Sequence, residues 1–290
     1  MTTLGAVFLP QLPPERLRSI VTAADEAGLE ELWLWEDCFL EGGLTTAAAA
    51  LAWSSRLRVG VGLLPVPLRN VAIAAMETAT LFRMFPGRAT IAAGHGVQDW
   101  MGQVGVRAES PLTLLREYTL ALRALLAGER LSTQGRYVRL DDVALDWPPP
   151  GPAPILVGAT GPKTLRLSGE VSDGTVLTAG NDVATVRRAR ALIDEGRTAA
   201  GRTDTHEIVM YLHCATGPDA EARLAAERVR WKYAADADVL VAGDEHAVAD
   251  SVRRWAEAGV DRVILQPTPD DPDPEGFVRF VAERVRPLVP

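Results

Sequence analysis

Eight short apolar runs alternate with segments of helical periodicity along the chain, and this alternation is the strongest constraint on the fold. The predicted strands are residues 5–9, 32–35, 57–64, 89–93, 154–158, 174–178, 208–214 and 262–266. Strands buried on both faces give continuous runs of valine, isoleucine and leucine, and parallel strands need a crossover helix between them. Eight strand–helix units in about 250–300 residues close a (β/α)8 barrel. We therefore predict an α/β fold, a TIM barrel with short insertions.

Helical periodicity places nine helices between and after these strands. They are predicted at residues 14–27, 45–54, 70–84, 111–127, 163–168, 182–200, 220–232, 245–258 and 274–286. Residues 133–140 depart from the rhythm and predict a small hairpin that turns at Gly135. Because two helices precede the eighth strand, residues 229–243 are predicted to be a local insertion. Neither departure divides the barrel, so we predict a single domain, 1–290.

Composition narrows the class of protein. The chain has 290 residues, 47% of them hydrophobic, and a net charge of −8 with no clustered basic face, so we expect no nucleic-acid partner. No apolar run reaches the length of a membrane span and no basic segment opens the chain, which predicts a cytoplasmic protein without a membrane partner. Cys38 and Cys214 lack metal spacing, and a disulfide between them is an open alternative. The four histidines form no ligand pair, so we expect no metal site.

Polar residues follow two of the predicted strands, where barrel enzymes carry their chemistry. Glu36 and Asp37 come directly after the second strand, and His95 follows the fourth. The carboxylates could serve a cofactor or substrate, or could cap the next helix. His95 could donate a hydrogen bond or transfer a proton near neutral pH, or be an ordinary loop residue.

Two glycine-rich stretches indicate close approach of a ligand. Gly60 and Gly62 lie inside the third strand and indicate a bulge or a ligand contact, with packing against a bulky neighbour as the alternative. The segment from Gly158 to Thr164 joins a strand to a helix start, where backbone N–H groups and the helix dipole bind anions. Since Pro162 interrupts it, the spacing is wrong for a nucleoside triphosphate, and a phosphate monoester or diester is the predicted anion.

In order and spacing, these segments resemble the bacterial-luciferase-like oxidoreductases, especially the branch that uses the deazaflavin coenzyme F420. The resemblance covers nearly the whole chain. It is carried by residues 28–37 (GLEELWLWED), 55–60 (SRLRVG), 67–70 (PLRN), 86–88 (PGR), 135–137 (GRY), 154–163 (PILVGATGPK) and 172–174 (SDG).

This resemblance implies a position for each part of the cofactor. A bulge with a cis peptide between Gly62 and Leu63 would back the central ring. The ring edge and linker would be contacted by residues after the fourth strand, and the cofactor phosphate by residues after the fifth. The expected contacts are His95, Gly96 and Trp100 for the former and Gly158, Ala159, Thr160, Gly161, Lys163 and Thr164 for the latter.

Departures from the family pattern bear on catalysis. Relatives commonly have Asp-His where this chain has Glu36-Asp37, so Glu36 would contact the cofactor and Asp37 would need a raised pKa to donate a proton. Together with His95 these are the catalytic candidates, and His95 ranks ahead of Asp37 because it needs no large pKa shift. Val97 replaces a glutamate of sugar-phosphate-oxidising relatives, and Trp100 makes the pocket more apolar. An unsaturated or carbonyl compound is the indicated substrate.

Several alternatives stay open. The expected activity is hydride transfer between F420 and a small-molecule substrate, with a homodimer as the assembly to test. An FMN-dependent monooxygenase is the main rival within the family, and a flavin-binding barrel without catalysis is a second one. A lyase that uses Lys163 as a Schiff base is less favoured, because this lysine opens a helix and suits a phosphate.

Overall fold

The computed structural model describes residues 2–290, in which eight parallel strands close into a barrel. Its strands are β1 Thr3–Val7, β2 Glu31–Leu34, β3 Arg58–Pro65, β4 Ala89–Gly94, β5 Leu131–Gln134, β6 Arg139–Val143, β7 Ile155–Gly158, β8 Gly174–Leu177, β9 Glu207–Ala215, β10 Leu240–Ala242 and β11 Arg262–Gln266. Around the barrel the order is β1-β2-β3-β4-β7-β8-β9-β11, and β11 pairs with β1. The predicted (β/α)8 barrel is confirmed.

Helices cover the outside of the barrel. They are α1 Leu17–Ala27, α2 Gly43–Trp53, α3 Val71–Met84, α4 Gln98–Gln103, α5 Pro111–Leu126, α6 Pro162–Val171, α7 Val183–Ala199, α8 Ala220–Arg230, α9 Glu245–Glu257 and α10 Pro274–Arg279. The prediction missed α4, which buries only Met101 and therefore has no apolar stripe to detect. The prediction of one helix over 274–286 was wrong, because α10 gives way to a π-helical turn at Phe280–Val285.

Both predicted departures from the rhythm are real. Strands β5 and β6 form the expected antiparallel hairpin, in which Gly135 N–H donates to the carbonyl of Val138 at 2.9 Å. The predicted insertion contains β10, a short strand that pairs in parallel with the end of β9. The segment before β10 therefore lies beside the carboxyl ends of the barrel strands, where barrel enzymes have their active sites.

Large side chains fill the middle of the barrel. Trp33 from β2 is fully buried, and its ring occupies the space beside Gly60, where a Cβ atom would lie 2.4 Å from ring carbons. Packing against a bulky neighbour thus explains Gly60. Tyr211 from β9 packs edge-on against Trp33, with 6.0 Å between ring centroids. These rings close the barrel beneath the mouth.

Ionic contacts close the other end of the barrel. Glu31 is 2% exposed and accepts hydrogen bonds from Trp33, Arg58 and Arg262, at 2.9, 3.0 and 3.0 Å respectively. Arg262 also pairs with Glu207 of β9. The buried Glu31 carboxylate is fully paired, and its partners link the strands at this end. The search for an active site therefore concerns the opposite end, the mouth.

The structure bears on the disulfide alternative, on metal ligation and on membrane spans. Cys38 and Cys214 are both free thiols, so the disulfide alternative is wrong. No cluster of metal-ligating side chains is found within residues 2–290. Over the same residues, no helix combines the length and apolar character that crossing a membrane requires.

Candidate active site

The floor of the mouth is formed by the last inward-facing residue of each barrel strand. Side chains alternate along a strand, so the residue two places beyond an inward-facing core residue also faces inward. Val7, Trp33, Ala92, Leu156, Val176, Tyr211 and Ile264 belong to the inner core, and on β3 the Trp33 ring fills the space beside Gly60. By this alternation the floor carries Leu9, Trp35, Gly62, Gly94, Gly158, Thr178, His213 and Gln266.

Strand β3 bulges at the mouth. Its register with β4 shifts between Val61 and Leu64, and the Gly62–Leu63 peptide is cis, as the resemblance implied. Tyr211 crosses the barrel and donates a hydrogen bond from its hydroxyl to the Gly62 carbonyl at 2.9 Å. The bulge is therefore held from the opposite wall. A second cis peptide, Cys38–Phe39, was not predicted.

Leu63 occupies space that three strand ends share. A Cβ atom at Gly94 or Gly158 would lie 2.4 or 2.3 Å from a side-chain carbon of Leu63. These glycines therefore make room for the Leu63 side chain. The contact brings the ends of β3, β4 and β7 together, which are the strand ends expected to hold the cofactor.

Glu36 is engaged within the protein. It is 8% exposed, and Arg69 binds both of its carboxylate oxygens, with 2.7 Å from Nη2 to Oε2. The same Oε2 accepts a hydrogen bond from Gly43 N–H at 2.8 Å, at the start of α2. Glu36 thus positions α2 and Arg69, and the cofactor contact implied for it stays a prediction.

Asp37 has the properties that the sequence required of a proton donor. Burial, with no compensating cation or hydrogen bond within residues 2–290, raises the pKa of its carboxyl group. The neighbouring Glu41 was missed in the sequence, which gave no signal beyond one more loop carboxylate. The Oε1 atom of Glu41 is buried and has no hydrogen-bond partner within residues 2–290. Burial raises the pKa of Glu41, and the nearby charge of Asp37 raises it further.

His95 joins two of the predicted cofactor segments. Its Nε2 lies 3.2 Å from the Thr164 hydroxyl, so the loop after β4 contacts the start of α6. Burial lowers the pKa of His95 against the opposing effect of the Pro111 backbone, and the buried Nδ1 makes no well-aligned hydrogen bond within residues 2–290. A neutral imidazole at this position can exchange hydrogen bonds but is a poor acid near neutral pH.

The start of α6 has the features of the predicted anion site. Gly161 precedes the helix in an extended conformation, Pro162 opens it, and the exposed Lys163 makes no ion pair within residues 2–290. Free N–H groups of the first turn, the helix dipole and one lysine charge together suit a phosphate group. Thr160 is exposed beside them, whereas Ala159 is buried.

The remaining predicted residues lie on the loop after β4. A Cβ atom at Gly96 would lie 2.9 Å from Pro65, so the loop lies close to the β3 end, and Gly96 has a φ of +67°. Trp100 lies half-buried on α4, and Val97 is exposed. These positions are compatible with the contacts implied by the resemblance.

The predicted insertion covers one side of the mouth. Tyr233 lies against Gly180, where a Cβ atom would be 2.5 Å from its ring, and against His213, with 5.8 Å between ring centroids. Trp231 lies 6.1 Å from the His213 ring. This cluster was not predicted, although the alternation of Val209, Tyr211 and His213 along a buried strand could have indicated that His213 faces inward.

The closed barrel with its bulged third strand is the architecture expected of the luciferase-like oxidoreductases, and a family match decides the assignment. A sequence model of the family described as luciferase-like monooxygenase matches residues 4–237. The chain belongs to this family.

Relatives of known activity agree with this assignment. The chain is 29% identical over 223 residues to 5,10-methylenetetrahydromethanopterin reductase of Methanolobus tindarius, covering 77% of this chain and 68% of the relative. It is 27% identical over 302 residues to F420-dependent glucose-6-phosphate dehydrogenase of Microbacterium testaceum, covering 96% and 88%. The resemblance to the F420-dependent branch, stated from sequence motifs, is thus confirmed.

Solved structures share the fold. An F420-dependent secondary alcohol dehydrogenase, in complex with an F420-acetone adduct, superimposes with a TM-score of 0.88 at 20% identity, covering 100% of this chain and 99% of that one. An FMN-bound type II Baeyer-Villiger monooxygenase of Pseudomonas putida superimposes with a TM-score of 0.80 at 17% identity, covering 100% and 99%. At these identities the similarity shows the fold alone.

Proposed function

We propose that this barrel transfers a hydride between coenzyme F420 and a small unsaturated or carbonyl compound bound at its mouth. The observation that carries the proposal is the joining of three strand ends by Leu63, beside the anion site at the start of α6. The F420-dependent relatives support the choice of cofactor.

The residues at the mouth fit the proposed cofactor. The bulge at Gly62 and Leu63 offers a backbone surface for a flat ring, and the buried Nδ1 of His95, which makes no well-aligned hydrogen bond within residues 2–290, is available to a ligand. The phosphate would be held by a segment after β7, with Gly96 and Trp100 contacting the cofactor from the loop after β4. That segment comprises Gly158, Ala159, Thr160, Gly161, Lys163 and Thr164. When bound, the deazaflavin would supply or accept the hydride.

We assign proton handling to Asp37. A reduced carbonyl leaves negative charge that a nearby acid must neutralise, and a carboxyl group whose pKa is raised by burial retains its proton closer to neutral pH. His95 ranked first as the proton donor in the sequence-based prediction. However, burial lowers its pKa, and its Nε2 forms a hydrogen bond with the Thr164 hydroxyl. We therefore rank Asp37 ahead of His95 as the proton donor.

The second candidate is an FMN-dependent monooxygenase. The family description and the fold of the FMN-bound neighbour favour it. A barrel that binds a flavin without catalysis is a further alternative, since the Asp-His pair of many relatives is replaced here.

Titration of the purified protein separates these functions. We expect F420 to bind more tightly than FMN in fluorescence titrations, and reduced F420 to be consumed when a ketone or an activated alkene is added. FMN bound at least tenfold more tightly, about 1.4 kcal/mol, would reverse the assignment. F420 binding without turnover across these compound classes would favour the non-catalytic alternative.

A further inference from the structure

A pair of buried polar side chains lies on the wall of the mouth formed by β9 and β11. His213 and Gln266 are neighbours in the register of these strands and are 1% and 4% exposed. Tyr211 and Ile264, two places earlier on each strand, belong to the inner core of the barrel. Alternation therefore places both His213 and Gln266 on the inward side, at the mouth.

His213 retains an unused hydrogen-bonding atom. Its Nε2 lies 3.3 Å from the Tyr233 hydroxyl, whereas its buried Nδ1 has no partner within residues 2–290. A buried polar atom left unpaired costs about 1–3 kcal/mol, and in native structures such an atom requires an explanation. A ligand atom that completes the hydrogen bond provides one.

His206 shows that an unpaired nitrogen alone does not define a site. It is also buried, its Nε2 lies 2.8 Å from the Thr175 hydroxyl, and its Nδ1 is unpaired within residues 2–290. It precedes β9, however, at the end of the barrel opposite the mouth. His213 differs because it lies at the mouth, beneath the aromatic side chains of the insertion.

The charge state of the pair restricts what it can bind. Burial, followed by the charge of Arg230, lowers the pKa of His213 to about 4, so the imidazole is neutral at pH 7. Arg230 itself pairs with Glu227 at 3.5 Å. A neutral imidazole and an amide each offer one kind of donor and one kind of acceptor. Phosphates and carboxylates bind best to cationic donors, which this pair does not supply.

We propose that His213 and Gln266 are the substrate-recognition pair of this barrel, and that they hold an uncharged carbonyl or hydroxyl compound by hydrogen bonds. This inference rests on the proposed function, which it extends to a substrate class. Tyr233 orients the imidazole through Nε2, and Nδ1 and the Gln266 amide meet the substrate oxygen. A phosphorylated sugar is excluded as the preferred substrate.

The test uses variants of each member of the pair and a matched control. His213→Leu removes the hydrogen bond, His213→Asn retains a neutral polar group, and Gln266→Leu tests the second residue. His206→Leu makes the same change in an equally neutral, buried histidine outside the mouth. With F420 and cyclohexanol, or reduced F420 and cyclohexanone, we expect His213→Leu to raise KM about five- to tenfold. His213→Asn should recover part of this loss, and His206→Leu should leave KM unchanged.

Failure of the inference and failure of the proposed function give different results. Binding of cyclohexanone to cofactor-free protein is followed by the fluorescence of tryptophans, of which Trp231 lies beside His213. No saturable binding, or binding that His213→Leu and Gln266→Leu leave intact, would contradict the recognition pair. Tighter binding or faster turnover of glucose 6-phosphate would also overturn it, although F420 dependence would stand. Loss of cyclohexanone binding in His213→Leu, in a protein that does not bind F420, would leave the pair assigned and refute the cofactor.

Discussion

Glu36 and Asp37 are neighbours in the chain, but their surroundings give them different chemistry. Arg69 and Gly43 satisfy the Glu36 carboxylate inside the protein. Asp37 is half-buried without such partners, and the loss of hydration raises its pKa. Because successive side chains point to opposite sides, Glu36 faces the helix layer, whereas Asp37 is left as a candidate acid. Two carboxylates of equal charge in the sequence do not reveal this difference.

Replacing Asp37 tests its role as the acid. Reduction should fall as pH rises through the raised pKa of Asp37, because only the protonated carboxyl group donates. Asp37→Asn should lower kcat about 100-fold and remove this limb of the pH–rate profile. The control is Asp99→Asn, which alters an aspartate that is 95% exposed after β4.

The same variant gives a stability readout. A carboxyl group whose folded pKa is raised contributes stability below its unfolded pKa and loses it as pH rises through the folded value. Asp37→Asn should therefore be more stable than the wild type at pH 7.

A larger loss of turnover in His95→Ala than in Asp37→Asn would restore the ranking of proton donors predicted from the sequence.

Replacing Lys163 tests the anion site. The chain contains one other lysine, Lys232, which is also exposed and provides a control of matched charge. Lys163→Ala should weaken F420 binding by on the order of 1.5–3 kcal/mol if a charge-assisted hydrogen bond is lost. The rate at saturating cofactor should change little, because the contact is equal in the ground and transition states. Equal dissociation constants for Lys163→Ala and Lys232→Ala in fluorescence titrations would place the phosphate elsewhere.

The bulge of β3 depends on a strand from the far side of the barrel. Glycines at 60 and 62 indicated an irregular strand; the bulge was confirmed at Gly62, whereas Gly60 makes room for Trp33. Its support could not be predicted, since Tyr211 follows Gly62 by 149 residues and only barrel closure brings the two together. Local pattern therefore predicted the bulge, whereas the hydrogen bond that holds it is a property of the tertiary fold.

Replacing Tyr211 measures what this hydrogen bond contributes. Tyr211→Phe keeps the ring but leaves the Gly62 carbonyl without its partner, so the free energy of unfolding should fall by about 1–3 kcal/mol. Tyr118 is a suitable control, because it is also 4% exposed and no hydrogen bond of its hydroxyl is found within residues 2–290. Urea denaturation should show a smaller loss for Tyr118→Phe. Equal losses would mean that the Tyr211 hydroxyl contributes nothing specific to the bulge.

For the molecule as a whole, the sequence predicted the barrel, because hydrophobic periodicity is local and all eight barrel strands bury both faces. It did not predict α4, which has almost no apolar face, or β10, which is three residues long. In the site, the positions of Gly62, Leu63 and Lys163 followed from motifs. The pairing of Glu36 with Arg69 and of His95 with Thr164 did not, because each partner comes from a different β/α unit.

Two buried histidines with lowered pKa values, His206 and His213, should make the stability of the whole barrel sensitive to acid. Burial, then the charges of Arg197, Arg202 and Arg190, lowers the pKa of His206 to about 4. Because the unfolded chain takes up this proton below about pH 6.5 and the folded chain does not, stability is lost as pH falls from about 6.5 to about 4. The loss is on the order of 3 kcal/mol for His206. His206→Leu should show a shallower decline in urea denaturation over this range, and an unchanged slope would contradict the assignment.

The contact of Leu63 with Gly94 and Gly158 also constrains how this mouth can evolve. A side chain at either glycine position collides with Leu63, and shortening Leu63 opens a void beneath both. Leu63, Gly94 and Gly158 come from three different β/α units, yet a substitution at one of them requires compensating substitutions at the others. Divergence toward new substrates should therefore proceed mainly on the opposite wall, where the insertion that carries Tyr233 can change length and sequence without disturbing the strand ends that Leu63 joins.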